Sequence, residues 1–270
     1  MPGMPRVLFL GDIVGRPGRR ILAQRLREVR QTRQIDRVIA NAENAAAGAG
    51  LTGKLAREIL DSGVDALTLG DHVWDQRGFA EEIGGLDRVC RPANLDESCP
   101  GRTFLVSEGG GLRVGVFTVL GREFMKVKAG CPFRTAERLV GEIRPQVDVL
   151  VVEVHAEATS EKIALGWLLE GKATLVVGTH THTPTADARI LPRGTAYLTD
   201  AGMTGPYRSV LGREVEPVLG RFLDGMPRKF SVAQEDVWMR GVIVECDAEG
   251  RATGVEPLAL PEASVEAGMG

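Results

Sequence analysis

Short apolar runs, each closed by polar or glycine-containing residues, recur along the chain at Val7 to Leu10, Val38 to Ala40, Ala66 to Leu69, Val114 to Val119, Val149 to Val154 and Leu175 to Val177. Their length and β-branched content predict strands covered on both faces. Between several of them the apolar period changes to that of amphipathic helices, at Arg19 to Arg33, Thr52 to Asp61, Thr135 to Ile143 and Ser160 to Glu170. Thr52 reads as a cap and Gly63 as a stop. Strand and helix thus alternate over the first two thirds, which predicts an α/β layered architecture. The last third differs: Arg189 to Leu198 and Trp238 to Asp247 read as extended, and Asp247-Ala248-Glu249-Gly250 as a turn into a further strand, so antiparallel pairing is expected there. With no fixed-period repeat, low-complexity linker or charge shift, one domain over residues 1–270 is the expected organisation.

The polar residues add a second pattern. Strand after strand runs into a residue able to bind metal: Leu10-Gly11 into Asp12, Asn41-Ala42 into Glu43-Asn44, Leu69-Gly70 into Asp71-His72, Val154 into His155, and Gly178-Thr179 into His180-Thr181-His182. In layered α/β sheets the carboxyl ends of neighbouring strands converge on one crevice, so residues distant in sequence can meet there. The chain has four histidines, and all four follow predicted strands. One such histidine would be unremarkable as a structural residue; four, joined by acids at equivalent places, point to a shared site.

Imidazole, carboxylate and an amide oxygen suit Mn, Fe, Co, Ni or Zn, whereas Ca and Mg prefer shells of oxygen alone. No cysteine lies in these segments, which argues against a structural zinc site. The candidates outnumber the needs of one tetrahedral ion, and two ions sharing a bridging carboxylate would use them all, an arrangement recurrent in phosphoester hydrolysis.

Composition narrows the substrate and the compartment. A net charge of -3 provides no basic field for holding long nucleic acids. A small phosphate ester therefore fits better than a polymer, and no sequence-specific nucleic-acid partner is expected. Cys90, Cys99, Cys131 and Cys246 are widely spaced without a CxxC pair, and read as reduced. The five-residue apolar run near the amino terminus is too short for a signal peptide, and no apolar stretch of membrane-spanning length occurs. A cytoplasmic protein without membrane partners is expected, of a size consistent with a homo-oligomer.

GDIVGRPGR (11–19), NAENAAAGAGLT (41–52), TLGDHVWD (68–75), RPAN (91–94), HAEATSEKIALGW (155–167), VGTHTHTPTAD (177–187) and ILPRGTAYLTDAGMTGP (190–206) together resemble the metallophosphoesterase superfamily, and most closely its YmdB-like branch of bacterial phosphodiesterases. The resemblance covers nearly the whole chain. It implies a metallophosphoesterase-like sandwich of two mixed β-sheets flanked by helices, in four layers. It also implies that Asp12, Glu43, Asn44 and His182 hold one ion and Glu43, Asp71, His155 and His180 the other, with Glu43 as the bridge. The implied cofactors are two divalent ions, iron or manganese first, with zinc, cobalt and nickel admitted by the donor set. The implied activity is hydrolysis of small phosphodiesters, cyclic mononucleotides included, through a hydroxide bridging the two ions, with His72 as general acid.

One departure from the family pattern matters. Where YmdB-like sequences usually carry asparagine before histidine, this chain has Asp71-His72. Three carboxylates around two divalent ions leave a formal net charge of about +1, against about +2 with an amide, before a bound hydroxide lowers either by one. The pull on an anionic diester should weaken accordingly.

Other residues carry two readings each. Glu153 and Glu157 can orient the free ring nitrogen of His155, or cap a helix and meet solvent. Thr204 and Gly205 can offer backbone donors to a substrate phosphate, or form a tight turn before Pro206. Arg91 and Arg122 read as structural or solvated, and Trp74 and Trp167 as core. Gly11, Gly15 and Gly18 do not match the dinucleotide spacing, and Asp12 would repel a pyrophosphate. A phosphomonoesterase and a weakly active metal-binding regulatory protein remain open alternatives.

Overall fold

Five of the six apolar runs become inner strands of two packed sheets, and Ala66 to Leu69 supplies an edge strand, in a computed structural model that describes residues 4–262. Residues 1–3 and 263–270, the ends of the expected domain span, lie outside the described residues. The first part of the chain comprises β1 (Arg6–Leu10), β2 (Asp12–Ile13), α1 (Gly15–Thr32), β3 (Arg37–Asn41), α2 (Gly53–Asp61), β4 (Ala66–Thr68) and α3 (Phe79–Glu82). The middle comprises β5 (Leu105–Gly109), β6 (Leu112–Leu120), α4 (Pro132–Ile143), β7 (Val149–His155), α5 (Thr159–Leu168), β8 (Leu175–Thr179), β9 (Arg189–Ile190) and β10 (Ala196–Leu198). The remainder is β11 (Met203–Pro206), α6 (Val215–Asp224), β12 (Val237–Cys246) and β13 (Ala252–Pro261).

Strand alternation produces the layers. In β1, Leu8 and Leu10 join a cluster with Ile21, Leu22 and Leu26 of α1 and Ile59 of α2, while Val7 and Phe9 join a second cluster with Val149 and Val151 of β7. On its other face β7 presents Leu150, Val152 and Val154 to Leu139 and Ile143 of α4 and Leu165 of α5. Successive side chains point to opposite faces of a strand, so two sheets with apolar side chains on both faces require three apolar layers and hence helices outside each sheet. The four-layer α/β sandwich of two mixed sheets follows.

In the first sheet β1 lies parallel to β3, and β3 to β4, while β12 runs antiparallel to both β1 and β13. In the second, β6, β7, β8 and β10 are parallel, with β5 and β9 antiparallel at the edges. The long antiparallel pair β12–β13 is the pairing expected of the last third. Arg189 to Leu198, expected as one extended segment, divides into the hairpin β9–β10, turning at Gly194.

Helix limits shift for local reasons. Thr52 caps α2 by accepting a hydrogen bond from the Leu55 amide at 3.3 Å, and the chain leaves through Gly63 at a φ of 115°. α1 begins at Gly15 rather than Arg19, since Pro17 falls in its first turn, where no amide donor is required. All four cysteines are unpaired, and burial pushes the Cys246 thiol up to about 12. Among the described residues no helix is long and apolar enough to cross a membrane.

Candidate metal centre

Parallel pairing within each sheet brings the carboxyl ends of β1, β3, β4, β7 and β8 to one edge, and the two sheets face each other there. Asp12 follows β1, Glu43 and Asn44 follow β3, Asp71 and His72 follow β4, His155 ends β7, and His180 and His182 follow β8. Glu43, Asp71, His155 and His180 each offer a ligand atom within 4.8 Å of the others. His155 Nε2 lies 2.9 Å from Asp71 Oδ1, 3.0 Å from His180 Nδ1 and 3.2 Å from Glu43 Oε1. A second grouping adjoins it through the same glutamate. Asn44 Nδ2 lies 3.0 Å from Glu43 Oε1 and 3.1 Å from His182 Nε2, and Asp12 Oδ2 accepts from the His180 amide at 3.1 Å. Glu43 is common to both groupings.

The electrostatics ask for positive charge. Asp12 is fully buried and its Oδ1 has no hydrogen-bond partner. Burial, helped by Glu43 and Asp200, pushes its pKa up to about 7, outweighing His155. At His155 burial works in the lowering direction, yet Glu43 and Asp71 hold the ring well above its ordinary value. Burial would raise Glu43, and the same imidazole reverses that. A divalent cation answers both the orphaned oxygen and the crowded carboxylates, so the donor set fits divalent metal binding. Gly70 leaves the room: a β-carbon there would overlap Glu43 Oε2 and His155 Nε2.

Because burial raises the Asp12 pKa to about 7, protons compete with cations below that pH. Cation affinity, measured by titration calorimetry, should weaken by about tenfold or more per pH unit as pH falls through 7, and should go on strengthening above 7 because His155, held protonated by Glu43 and Asp71, must also release its proton to ligate. An affinity flat from pH 5 to 8 would contradict this.

Buried polar groups aim the donors. His155 Nδ1 lies 2.9 Å from Thr179 Oγ1, which donates to Glu153 Oε1 at 2.7 Å. The hydroxyl therefore accepts from the ring, which turns Nε2 toward the cluster. The fully buried Glu153 also accepts from Asn41 Nδ2 at 2.6 Å and Thr118 Oγ1 at 2.6 Å, joining β3, β6, β7 and β8. Glu153 thus orients His155 through Thr179 rather than directly. Glu157 reaches a different ring, its Oε2 standing 3.3 Å from His180 Nε2.

His180 and His182 have left-handed backbones, at φ values of 91° and 60°. Such strain persists only where surroundings enforce it. Asp200 does so, its Oδ2 accepting from Thr181 Oγ1 at 2.7 Å, the Thr181 amide at 3.3 Å and Lys162 Nζ at 2.7 Å. Lys162 and Asp200 are both fully buried, so deleting either would strand the other charge at a cost of about 3–5 kcal/mol. Sequence reading passed over this pair. Asp200 follows a strand like the other acids, but β10 is only three residues long.

His72 stands at the rim of the cleft. Its Nδ1 lies 2.7 Å from Asp75 Oδ2 and its amide donates to Glu43 Oε2 at 3.0 Å. Burial would lower its pKa, but Glu43 and Asp75 together raise it. The sequence signal for Asp75 is only its position three residues after His72.

Thr204 and Gly205 do not reach the cleft. They lie in β11, where Thr204 is buried with its Oγ1 on the Arg240 carbonyl at 3.1 Å, and Gly205 pairs with Trp238. The glycine-proline sequence expected as a turn is the end of an inner strand. Arg91 is structural, donating to the Cys99, Pro92 and Asp96 carbonyls. Trp74 packs on the core, whereas Trp167 is half exposed.

The donors open into a cleft of about 400 Å³. Comparison with known proteins places the chain. Residues 8–258 match the family described as YmdB-like protein. The chain is 41% identical over 242 residues to the 2',3'-cyclic-nucleotide 2'-phosphodiesterase of Bacillus subtilis, covering 90% of this chain and 91% of that one. It is similar to the crystal structure of a hypothetical protein from Thermus thermophilus, with a TM-score of 0.88 at 43% identity over 95% of this chain and 99% of that one. A structure described as a novel phosphatase from Mycoplasma pneumoniae gives a TM-score of 0.89 at 33% identity, over 97% and 95% of the two chains. On its own sequence, and along nearly its whole length, this chain belongs to the YmdB-like family.

Proposed function

We propose that this protein is a dinuclear metal-dependent phosphodiesterase that hydrolyses small phosphodiesters, cyclic mononucleotides among them. The observation carrying this reading is the four-donor cluster of Glu43, Asp71, His155 and His180, with Asn44 and His182 adjoining it at Glu43 and the orphaned, buried Asp12 Oδ1 3.9 Å from His155 Nδ1. The activity named for the Bacillus subtilis relative supports the ester class. Two divalent ions, iron or manganese in preference to zinc, cobalt or nickel, would be held by Asp12, Glu43, Asn44 and His182 and by Glu43, Asp71, His155 and His180, and would supply a water of lowered pKa and a clamp on phosphate oxygens.

The chain's own groups supply the remainder. His72, steadied through Nδ1 by Asp75, keeps its other ring nitrogen for protonating the departing oxygen. Its raised pKa keeps it protonated further toward neutral pH. Thr179, Glu153 and Asp200 hold the ring donors in place, so little reorganisation accompanies the reaction. A cleft of about 400 Å³ suits a mononucleotide-sized ester. The four unpaired cysteines support a cytoplasmic location.

With saturating metal, bis-p-nitrophenyl phosphate and a 2',3'-cyclic nucleotide should be hydrolysed with higher kcat/KM than p-nitrophenyl phosphate. A preference for the monoester would overturn the diesterase reading, and no turnover of any of them would leave a metal-binding regulatory protein. Asp71→Asn should retain both metals and raise kcat roughly threefold or more, because the amide removes one negative charge from the metal cage. Equal or lower turnover at full metal loading would remove this charge argument.

A further inference from the structure

Besides the donors and their neighbours, the cleft is lined by Val14, Thr183, Leu211 and Arg213. Among the described lining residues Arg213 is the one lysine or arginine. Its Nη1 donates to the Ala47 carbonyl at 3.0 Å and its Nη2 to the Gly48 carbonyl at 2.5 Å. Gly48 has a φ of 85°, and a β-carbon on it would sit 2.6 Å from Nη1 and 2.7 Å from Cζ, so the guanidinium rests against the glycine itself. Burial alone pulls the Arg213 pKa down, with no carboxylate near enough to offset it. The group stays charged, since no protein environment removes that proton at ordinary pH. It is a half-buried positive charge whose two protein hydrogen bonds go to neutral carbonyls, and a guanidinium has five N–H donors.

The placement is tied to the metal donors. The Leu211 carbonyl lies 3.1 Å from His182 Nδ1, two residues before Arg213. Arg213 also forms backbone bridges with Val210 and Val232, which fix its main chain. The loop that aims one metal donor therefore also positions the arginine. On the other side, Ala47 and Gly48 belong to the loop that follows Glu43 and Asn44.

We propose that Arg213 is the anion clamp of this cleft, its remaining N–H groups holding a non-bridging oxygen of the bound phosphate ester. This rests on the phosphoesterase reading for its ligand class. A guanidinium suits phosphate oxygens through short, charge-assisted hydrogen bonds. It also restores to the cleft the positive charge that Asp71 removes relative to an amide at that position.

The test is calorimetric titration of inorganic phosphate into the cation-loaded protein, with the metal content of each variant measured alongside. Arg213→Gln should keep the parent's metal content and bind phosphate on the order of 10- to 100-fold more weakly. Arg213→Lys, which keeps the charge but not the fork, should fall between the two. Gly48→Ala leaves the arginine in the chain but displaces its guanidinium, and should weaken phosphate binding in the same direction. Parent-like phosphate affinity in Arg213→Gln overturns the proposal, and so does loss of metal in parallel with phosphate, which would make the arginine a staple for the Ala47–Gly48 loop. Should Arg213→Gln not fold, parent-like affinity in both Arg213→Lys and Gly48→Ala overturns it equally. Phosphate binding needs no turnover, so a protein that binds phosphate through Arg213 yet cleaves no diester would sink the phosphodiesterase reading and leave the clamp standing.

Discussion

Replacing Glu43 by glutamine should empty both cation positions together and reduce diester hydrolysis by on the order of 10³-fold or more, since metal-assisted attack and charge stabilisation are lost at once. Glu43 is the side chain shared by the two donor groupings, through its contacts with His155 at 3.2 Å and Asn44 at 3.0 Å. Its other oxygen accepts the His72 amide at 3.0 Å, so it also sets where His72 stands. Glutamine keeps the size and much of the hydrogen bonding but removes the charge that two cations would share. Elemental analysis after loading and desalting, with turnover at saturating metal, reads both consequences. Two ions per chain in Glu43→Gln, with turnover within tenfold of the parent, would show that Glu43 is not the bridge.

The second large effect belongs to His72. His72→Ala should lower kcat by about 10² to 10⁴ for diesters that release an alkoxide, the usual contribution of a positioned general acid. Esters that release p-nitrophenolate, which leaves without a proton, should lose far less. Metal content should match the parent, because the imidazole is turned toward Asp75 and stands outside the four-donor cluster. The parent's leaving-group dependence should steepen as pH rises above the raised His72 pKa, where the proton is lost, and that limb should vanish in His72→Ala. Parallel loss of metal would identify His72 as a ligand instead, and equal losses for good and poor leaving groups would remove its acid role.

The candidate donors stand out in the sequence because each follows an apolar run with the character of a buried strand. Leu8 to Leu10 and Val38 to Ala40 are apolar on both faces, as is Val151 to Val154 apart from the buried Glu153, so both faces of each must be covered, and the polar residues that follow fall at the ends of the strands. The parts not legible depend on contacts between distant elements. Asp200 acts on Thr181 and Lys162, residues that no local pattern joins, and the strand before it is too short to announce itself. Thr204 and Gly205 carry turn-forming chemistry, yet β11 is recruited by β2 and β12 on either side, and tertiary pairing overrides the local preference. Arg213 carries no sequence signal, because an isolated arginine in a polar segment has no periodicity. Its meaning comes from Gly48, far away in sequence and directly beneath it. Asp75 and Thr179 fall between these cases, close in sequence to the histidines they orient but informative only once the ring nitrogens are placed.

Crystals of the cation-loaded protein, with diffraction recorded on both sides of the metal absorption edge, give the most direct measurement of all. Two anomalous peaks separated by roughly 3.5 to 4 Å are predicted, with the Glu43 carboxylate between them, one flanked by Asp12, Asn44 and His182 and the other by Asp71, His155 and His180. A single peak, or two that lie away from these seven side chains, would contradict the account.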